Sequence, residues 1–208
     1  MSYNGTMERT LSSSLPVLRS ELKARRRSIS PFYQIQSEKR ACQFLSVSLL
    51  FSHSRYVAVY IDHNNEFPTG KLLDLIQRHD KPLFLPVLED SGEPQLRFIQ
   101  YSKNSRLKKN RFGIPEPQQG TILPAKRLDL VITPLLGFDA QGNRLGMGGG
   151  YYDRTFKFLK SSRSTKRPFL LGLAFDDQQV DALDAQPWDV PLDGILTESG
   201  LHIFLRKV

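Results

Sequence analysis

A chain of 208 residues is long enough to bury a substantial core, and 39% hydrophobic with 24% charged residues excludes wholesale disorder. No run approaches the roughly 18 apolar residues of a membrane span, and the single cysteine, Cys42, excludes an internal disulfide or a thiolate zinc cluster. The formal charge of +8 admits nucleic acid, phosphate-bearing small molecules or simple solubility as its reason; with no signal-like N-terminus the expected location is cytoplasmic.

Residues 1–14 are rich in Ser, Asn and Thr and are expected to form a flexible N-terminus, with 15–208 as a single domain. From Leu15 to Ile29, Leu15, Leu18 and Leu22 recur at helical spacing, with Arg and Lys on the other faces. Ser30-Pro31 then reads as an N-cap and first helical position, opening a helix that runs to about Phe51 through Cys42, Leu45 and Leu49. Tyr56–Ile61 is β-branched and aromatic, the pattern of a buried strand. Helical spacing returns over Gly70–Asp80. Leu83–Leu88 and Leu96–Gln100 are strand candidates around the turn-like DSGEPQ. Leu128–Thr133 and Phe169–Phe175 are near-continuous apolar runs, as in strands covered on both faces, and Tyr152, Phe156 and Leu159 mark a helix between them. Strands alternating with helices predict an α/β fold: one three-layer domain with a mostly parallel central sheet flanked by helices.

The charge is segregated. Lys103, Arg106, Lys108, Lys109 and Arg111 form one basic run, Lys157, Lys160, Arg163, Lys166 and Arg167 another, and the stretch Asp176 to Glu198 is acidic. Such separation favours a site with its own electrostatics over a uniform polynucleotide-binding surface, although a solvated face explains a basic run equally well.

The densest chemical signal is GFDAQGNRLGMGGGYYDR, spanning Gly137 to Arg154. A glycine-rich loop between a buried strand and a helix can aim successive backbone N–H groups at an anion, and the helix field adds to this. Arg144 or Arg154 could grip phosphate oxygens. The loop lacks the Lys-Ser/Thr ending of a Walker A motif, and Gly146, Gly148 and Gly150 lack the spacing and position of a dinucleotide fingerprint. A plain connector is the competing reading. Asp153 tips the balance, because a carboxylate beside a polyphosphate needs a cation between them, and Mg²⁺ bridges carboxylates and phosphates.

Together these residues resemble the signature of the 5-formyltetrahydrofolate cyclo-ligase (5,10-methenyltetrahydrofolate synthetase) family. The resemblance runs from about Leu15 to Ser199 and includes LRSELKARRRSIS, YIDHNNEFPT, FLPVL, RFGIPEP and WDVPLDGIL. It implies an ATP- and Mg²⁺-dependent ligase that converts 5-formyltetrahydrofolate to 5,10-methenyltetrahydrofolate through phosphorylation of the formyl oxygen, releasing ADP and phosphate. On that resemblance Arg144, Tyr152 and Asp153 are catalytic, and ATP lies on Arg19, Lys23, Arg144, Gly146, Met147, Gly148, Gly149, Gly150, Tyr151 and Tyr152. The folate meets His63, Glu66, Phe112 and Tyr152, and the metal meets Asp153 and Asp193. Leu15 stands where the family commonly has a basic residue, which leaves one nucleotide contact to Lys23 or a neighbouring arginine.

Two other readings follow from the same residues: a non-catalytic folate or nucleotide binder on this fold, and a basic nucleic-acid-binding protein. The second lacks any recognisable RNA- or DNA-binding signature, so nucleic acid is not expected as a partner. The four histidines have no metal-ligand spacing and no Gly-x-Ser-x-Gly elbow exists. Small-molecule substrates, no membrane and a monomer are the expectations for its partners.

Overall fold

The computed structural model describes residues 14–89, 92–161 and 168–204. The expected flexible segment lies outside these except for Ser14, as do Arg163, Lys166 and Arg167 of the second basic run.

Helix α1 (Leu15–Ser28) follows the leucine spacing and buries Leu22. The next predicted helix is two. Ser30 Oγ accepts the Tyr33 N–H at 3.2 Å to start α2 (Pro31–Ser46), and Ser48 Oγ accepts the Phe51 N–H at 3.1 Å to start α3 (Leu49–His53). A second N-cap inside an apolar run satisfies amides that an unbroken helix would bond itself, and so ends the first helix.

Strand β1 (Val57–Val59) leads through a loop to α4 (Gly70–Arg78), then β2 (Leu83–Leu88) and β3 (Leu96–Gln100). A small ribbon of β4 (Leu107–Lys109) and β5 (Pro115–Pro117) precedes β6 (Ile122–Leu123) and β7 (Leu130–Pro134). After the hairpin β8 (Gly137–Phe138) and β9 (Arg144–Leu145) come α5 (Tyr151–Phe156), α6 (Phe158–Ser161), β10 (Phe169–Leu173), β11 (Gly194–Leu196) and β12 (Leu201–Ile203).

The sheet has eight strands in the order β12-β11-β10-β7-β1-β2-β3-β6. Its interior pairs are parallel, with Val57 opposite both Leu83 and Leu130 and Leu171 opposite Ile132; β12, β3 and β6 add antiparallel edges. Strand alternation divides the core. Val57, Val59, Leu130 and Ile132 face Ala41, Leu45, Phe51, Leu72 and Ile76 of α2, α3 and α4. Ala58 and Val131 face the other way, onto Phe156 and Leu159 of α5 and α6. Each such fully buried Val, Leu, Ile or Phe side chain contributes about 1.5–3 kcal/mol. Helix α1 covers a third cluster in which Leu22 meets Leu136 and Leu145, directly beneath the segment that carries the glycines. These layers agree with the predicted α/β architecture; the ribbons and the antiparallel edge strands were not anticipated.

Candidate functional site

The glycine-rich segment has a structural half and an open half. In the first, the buried Asp139 carboxylate accepts N–H groups from Gln141, Asn143 and Leu183 and the Asn143 side-chain amide, each at 2.9–3.0 Å. Gly142 has φ +84, and a Cβ there would sit 3.0 Å from the Leu192 carbonyl, so only glycine fits this turn. The DAQGN stretch therefore builds a fixed turn and brings Arg144 onto β9.

In the open half, Met147, Gly148 and Gly149 are exposed, and the loop is braced from below. Arg19 Nε donates to the Gly146 carbonyl at 3.1 Å and Arg154 Nη1 to the Gly149 carbonyl at 2.9 Å. These two bonds fix the Gly146 and Gly149 peptides and leave the exposed backbone of the loop open to solvent. Gly150 caps α5 at φ +67, and a Cβ there would run into Arg154 Nη1. Helix α5 has only six residues, so the helix field expected from the sequence is a minor contributor beside the loop amides.

Arg144 does not project freely towards an anion. Its Nη2 pairs with Asp153 Oδ1 at 2.6 Å and its Nη1 donates to the Val190 carbonyl. The same Asp153 oxygen accepts the Val190 N–H at 3.1 Å, which leaves Oδ2 without a hydrogen bond among the described residues. Arg154, the other anticipated phosphate ligand, is the brace on Gly149. Lys23 lies half-buried one turn beyond Arg19, and Leu15 packs with the apolar cluster under α1. Asp193 was expected to share a metal with Asp153. It is 6% exposed, immediately precedes β11, and its Oδ2 accepts the Leu170 N–H at 2.9 Å. That bond ties β11 to β10, so the position is explained by the fold.

The loop between β1 and α4 carries the second set of residues. Asn64 and Asn65 have φ +50 and +60, and the Glu66 N–H bonds the His63 carbonyl at 3.1 Å, closing a tight turn of left-handed residues. Glu66 Oε2 accepts the His63 N–H at 3.1 Å. Asp62 Oδ1 holds the far end of the loop through the Thr69 N–H and hydroxyl at 3.0 and 2.9 Å. Burial pushes the Glu66 carboxyl up to about 7, against the opposing influence of Arg26 and the His63 N–H. Arg26 is the residue the sequence reading missed: it is 3% exposed and its Nη2 donates to the Asn64 carbonyl at 2.9 Å.

Tyr152 joins the two sets. Its ring stacks on Phe156 at 6.3 Å, and its hydroxyl is raised by burial and by the charge of Glu66, while Arg144 acts the other way. The turn after β4 closes the mouth. Phe112 is 52% exposed, which removes core packing as its explanation. It meets the Tyr151 ring edge-on at 6.4 Å beneath the Arg111 guanidinium, which also bonds the Tyr151 hydroxyl. Gly113 lies against His63, with the missing Cβ 3.8 Å from His63 Cε1. Asn110 and Glu116 stiffen this turn: Glu116 Oε1 accepts from Asn110 Nδ2 at 2.7 Å and from the Leu88 N–H at 3.0 Å. Of the first basic run, Lys103 pairs with Asp74 at 2.9 Å, while Lys108, Lys109 and Arg111 line a cavity of about 260 Å³ behind the turn.

The family model for the 5-formyltetrahydrofolate cyclo-ligase family matches residues 12–198. The chain belongs to the 5-formyltetrahydrofolate cyclo-ligase family. It is an enzyme of the ligase class. A 5-formyltetrahydrofolate cyclo-ligase of Haemophilus influenzae is 35% identical over 181 residues, covering 86% of this chain and 95% of that protein. The Escherichia coli K12 cyclo-ligase is 35% identical over 180 residues, covering 86% and 97%. Among solved structures, the 5,10-methenyltetrahydrofolate synthetase of Aquifex aeolicus superposes with a TM-score of 0.78 at 26% identity, covering 93% of this chain and 94% of that one. No helix among the described residues is long and apolar enough to cross a membrane.

Proposed function

We propose that this cyclo-ligase converts 5-formyltetrahydrofolate to 5,10-methenyltetrahydrofolate at the expense of ATP, with Mg²⁺ bound, releasing ADP and phosphate. The observation that carries the reading is the convergence of two unlike surfaces at Tyr152: an exposed glycine backbone braced for anions, and a desolvated carboxylate suited to a donor-rich heterocycle.

The chemistry requires activation. A formamide oxygen leaves poorly and its carbon is a weak electrophile. Transfer of the γ-phosphoryl group to that oxygen, with cleavage of its bond to ADP, gives an iminium-type phosphate. The anilino nitrogen of the same folate then attacks the carbon, the carbon–oxygen bond breaks with its electrons on phosphate, and the nitrogen releases its proton to solvent. Attack within one bound molecule gains the advantage of a positioned nucleophile, so the enzyme's main tasks are orientation and charge stabilisation.

Gly146 to Gly150 would cradle the triphosphate with Arg19 and Lys23, and the Tyr152 hydroxyl would donate to the group in transfer. Arg144 is assigned to orienting Asp153 as well as to the local positive charge. Mg²⁺ shared with substrate phosphates needs only one or two carboxylates, and Asp153 with its unbonded Oδ2 fits that demand. Among the described residues no group of three or more His, Cys, Asp or Glu forms an all-protein metal cage, and Asp193, which holds the Leu170 N–H through Oδ2, is the second candidate carboxylate. When bound, the ion would neutralise phosphate charge. Glu66 would accept hydrogen bonds from the amino-amide edge of the pterin, with Phe112 and His63 lining its faces.

The test is appearance of the methenyl-folate absorbance band with ATP and 5-formyltetrahydrofolate together and separately. Product only with both is expected. Product without ATP, or none with both, overturns the reading.

A further inference from the structure

On α1, Arg19, Leu22 and Arg26 follow at steps of three and four, which puts all three on one face of the helix. Leu22 is sunk in the apolar cluster, and Arg19 reaches the glycine loop. Arg26 ends at the other site, on the His63–Glu66 turn. Burial of a guanidinium is costly, and burial lowers the proton affinity of this one, so its placement needs a compensating partner. One partner is the Asn64 carbonyl. The other is the charge of Glu66, the leading favourable influence on Arg26 after burial.

The two side chains form no ion pair within 4.0 Å among the described residues. A forked Arg–carboxylate pair would occupy both Glu66 oxygens. The offset arrangement lends charge while leaving Oε1 without a hydrogen bond among the described residues, and so available to a ligand. The other groups facing Glu66 do not substitute for it. Asp62 on the same loop is a like charge, Tyr60 donates its hydroxyl to the Phe67 carbonyl at 3.0 Å, and Tyr152 from α5 is neutral.

We propose that Arg26 is a positioning residue of the folate pocket: it clamps the His63–Glu66 turn through Asn64 and holds the Glu66 carboxylate in its charged, hydrogen-bond-accepting form. This rests on the folate reading of Glu66 given above. It makes the folate affinity, and not the nucleotide affinity, depend on pH through a residue two helical turns from Arg19.

The experiment compares full-length wild type with Arg26→Gln, which keeps a donor for Asn64 but loses the charge, and Arg26→Lys, which keeps the charge. KM for 5-formyltetrahydrofolate is measured from mildly acidic to mildly alkaline pH. In Arg26→Gln the acid limb of 1/KM moves up by about one pH unit, as expected for loss of a nearby opposite charge. KM rises about fivefold at neutral pH and approaches about tenfold further down the acid limb, while kcat and the KM for ATP stay within about twofold. Arg26→Lys keeps the limb at the wild-type position, and this arm stands if Arg26→Gln does not fold. The double variant Glu66→Gln/Arg26→Gln binds folate no worse than Glu66→Gln alone. An unmoved limb in Arg26→Gln, a shifted limb in Arg26→Lys, or additive losses in the double variant would overturn the proposal. A Glu66→Gln enzyme with undiminished folate affinity would instead sink the pocket assignment itself.

Discussion

On the proposed function, the glycine loop and the Glu66 turn are opposite solutions to ligand binding within one molecule. The loop offers exposed backbone and is held by arginines from beneath, so its chemistry resides in what the side chains lack. The turn offers one side chain whose value comes from withdrawal from water, with its carboxyl pushed up to about 7 by burial. A site made of backbone changes the composition of the sequence. A site made of burial leaves composition almost untouched, and only the fold reveals it.

Five perturbations sharpen that contrast, beginning with the most severe. Asp153→Asn removes the carboxylate charge beside the loop, and kcat is expected to fall by about 100-fold or more while the melting temperature changes little. Steady-state assays across Mg²⁺ concentration check this; unchanged turnover at limiting Mg²⁺ contradicts the metal assignment. Glu66→Ala removes the carboxylate proposed to accept from the pterin edge and is expected to weaken folate binding by roughly 30- to 100-fold. Separate titrations of folate and ATP should find the nucleotide within about twofold; equal losses would erase the division between the two regions.

The third perturbation concerns stability. Glu66 has a folded-state value of about 7 against an ordinary 4.5, so the folded protein holds this proton more tightly than the unfolded chain. Ionised Glu66 therefore opposes folding fully above about pH 7 and not at all below 4.5. Glu66→Gln should be more stable than wild type by on the order of 2 kcal/mol under alkaline conditions, with the gain vanishing as pH falls through that window. Denaturant melts at several pH values measure it, and a pH-independent difference would show that desolvation is not the organising fact of this turn.

The mildest perturbations separate conformation from contact. Gly150→Ala forces a side chain into a left-handed position and against Arg154, which should cost about 1 kcal/mol of stability and raise the KM for ATP about tenfold. Gly146→Ala meets nothing within 4 Å and should leave the melting temperature unchanged. Any rise in its KM for ATP then reports close approach of the nucleotide to the backbone.

Most long elements were legible because their periodicity is strong: β2 and β3 fall on Leu83–Leu88 and Leu96–Gln100 as read. The ribbons were not, since strands of two or three residues carry too little alternation to detect. Ser48 ended a helix that the apolar spacing through Leu45 and Leu49 predicts to continue, although a serine cap before Leu49 was the available sign. Nothing in the sequence announced that Phe112 would be exposed. Arg26 was overlooked because arginines on a helix usually face water. Its sign was positional: the stripe Leu15, Leu18, Leu22 advances next to residue 26, where an apolar side chain would be due. Asn64-Asn65 likewise advertised left-handed backbone, but not what the turn would hold.

Helix α1 touches the glycine loop with Arg19 and the Glu66 turn with Arg26, on a single rigid rod anchored by Leu22. Small axial displacements of such a rod cannot be absorbed at one end alone. Whatever cooperativity it transmits must be symmetrical, with nucleotide occupancy altering the folate dissociation constant by the same factor that folate occupancy alters the nucleotide's.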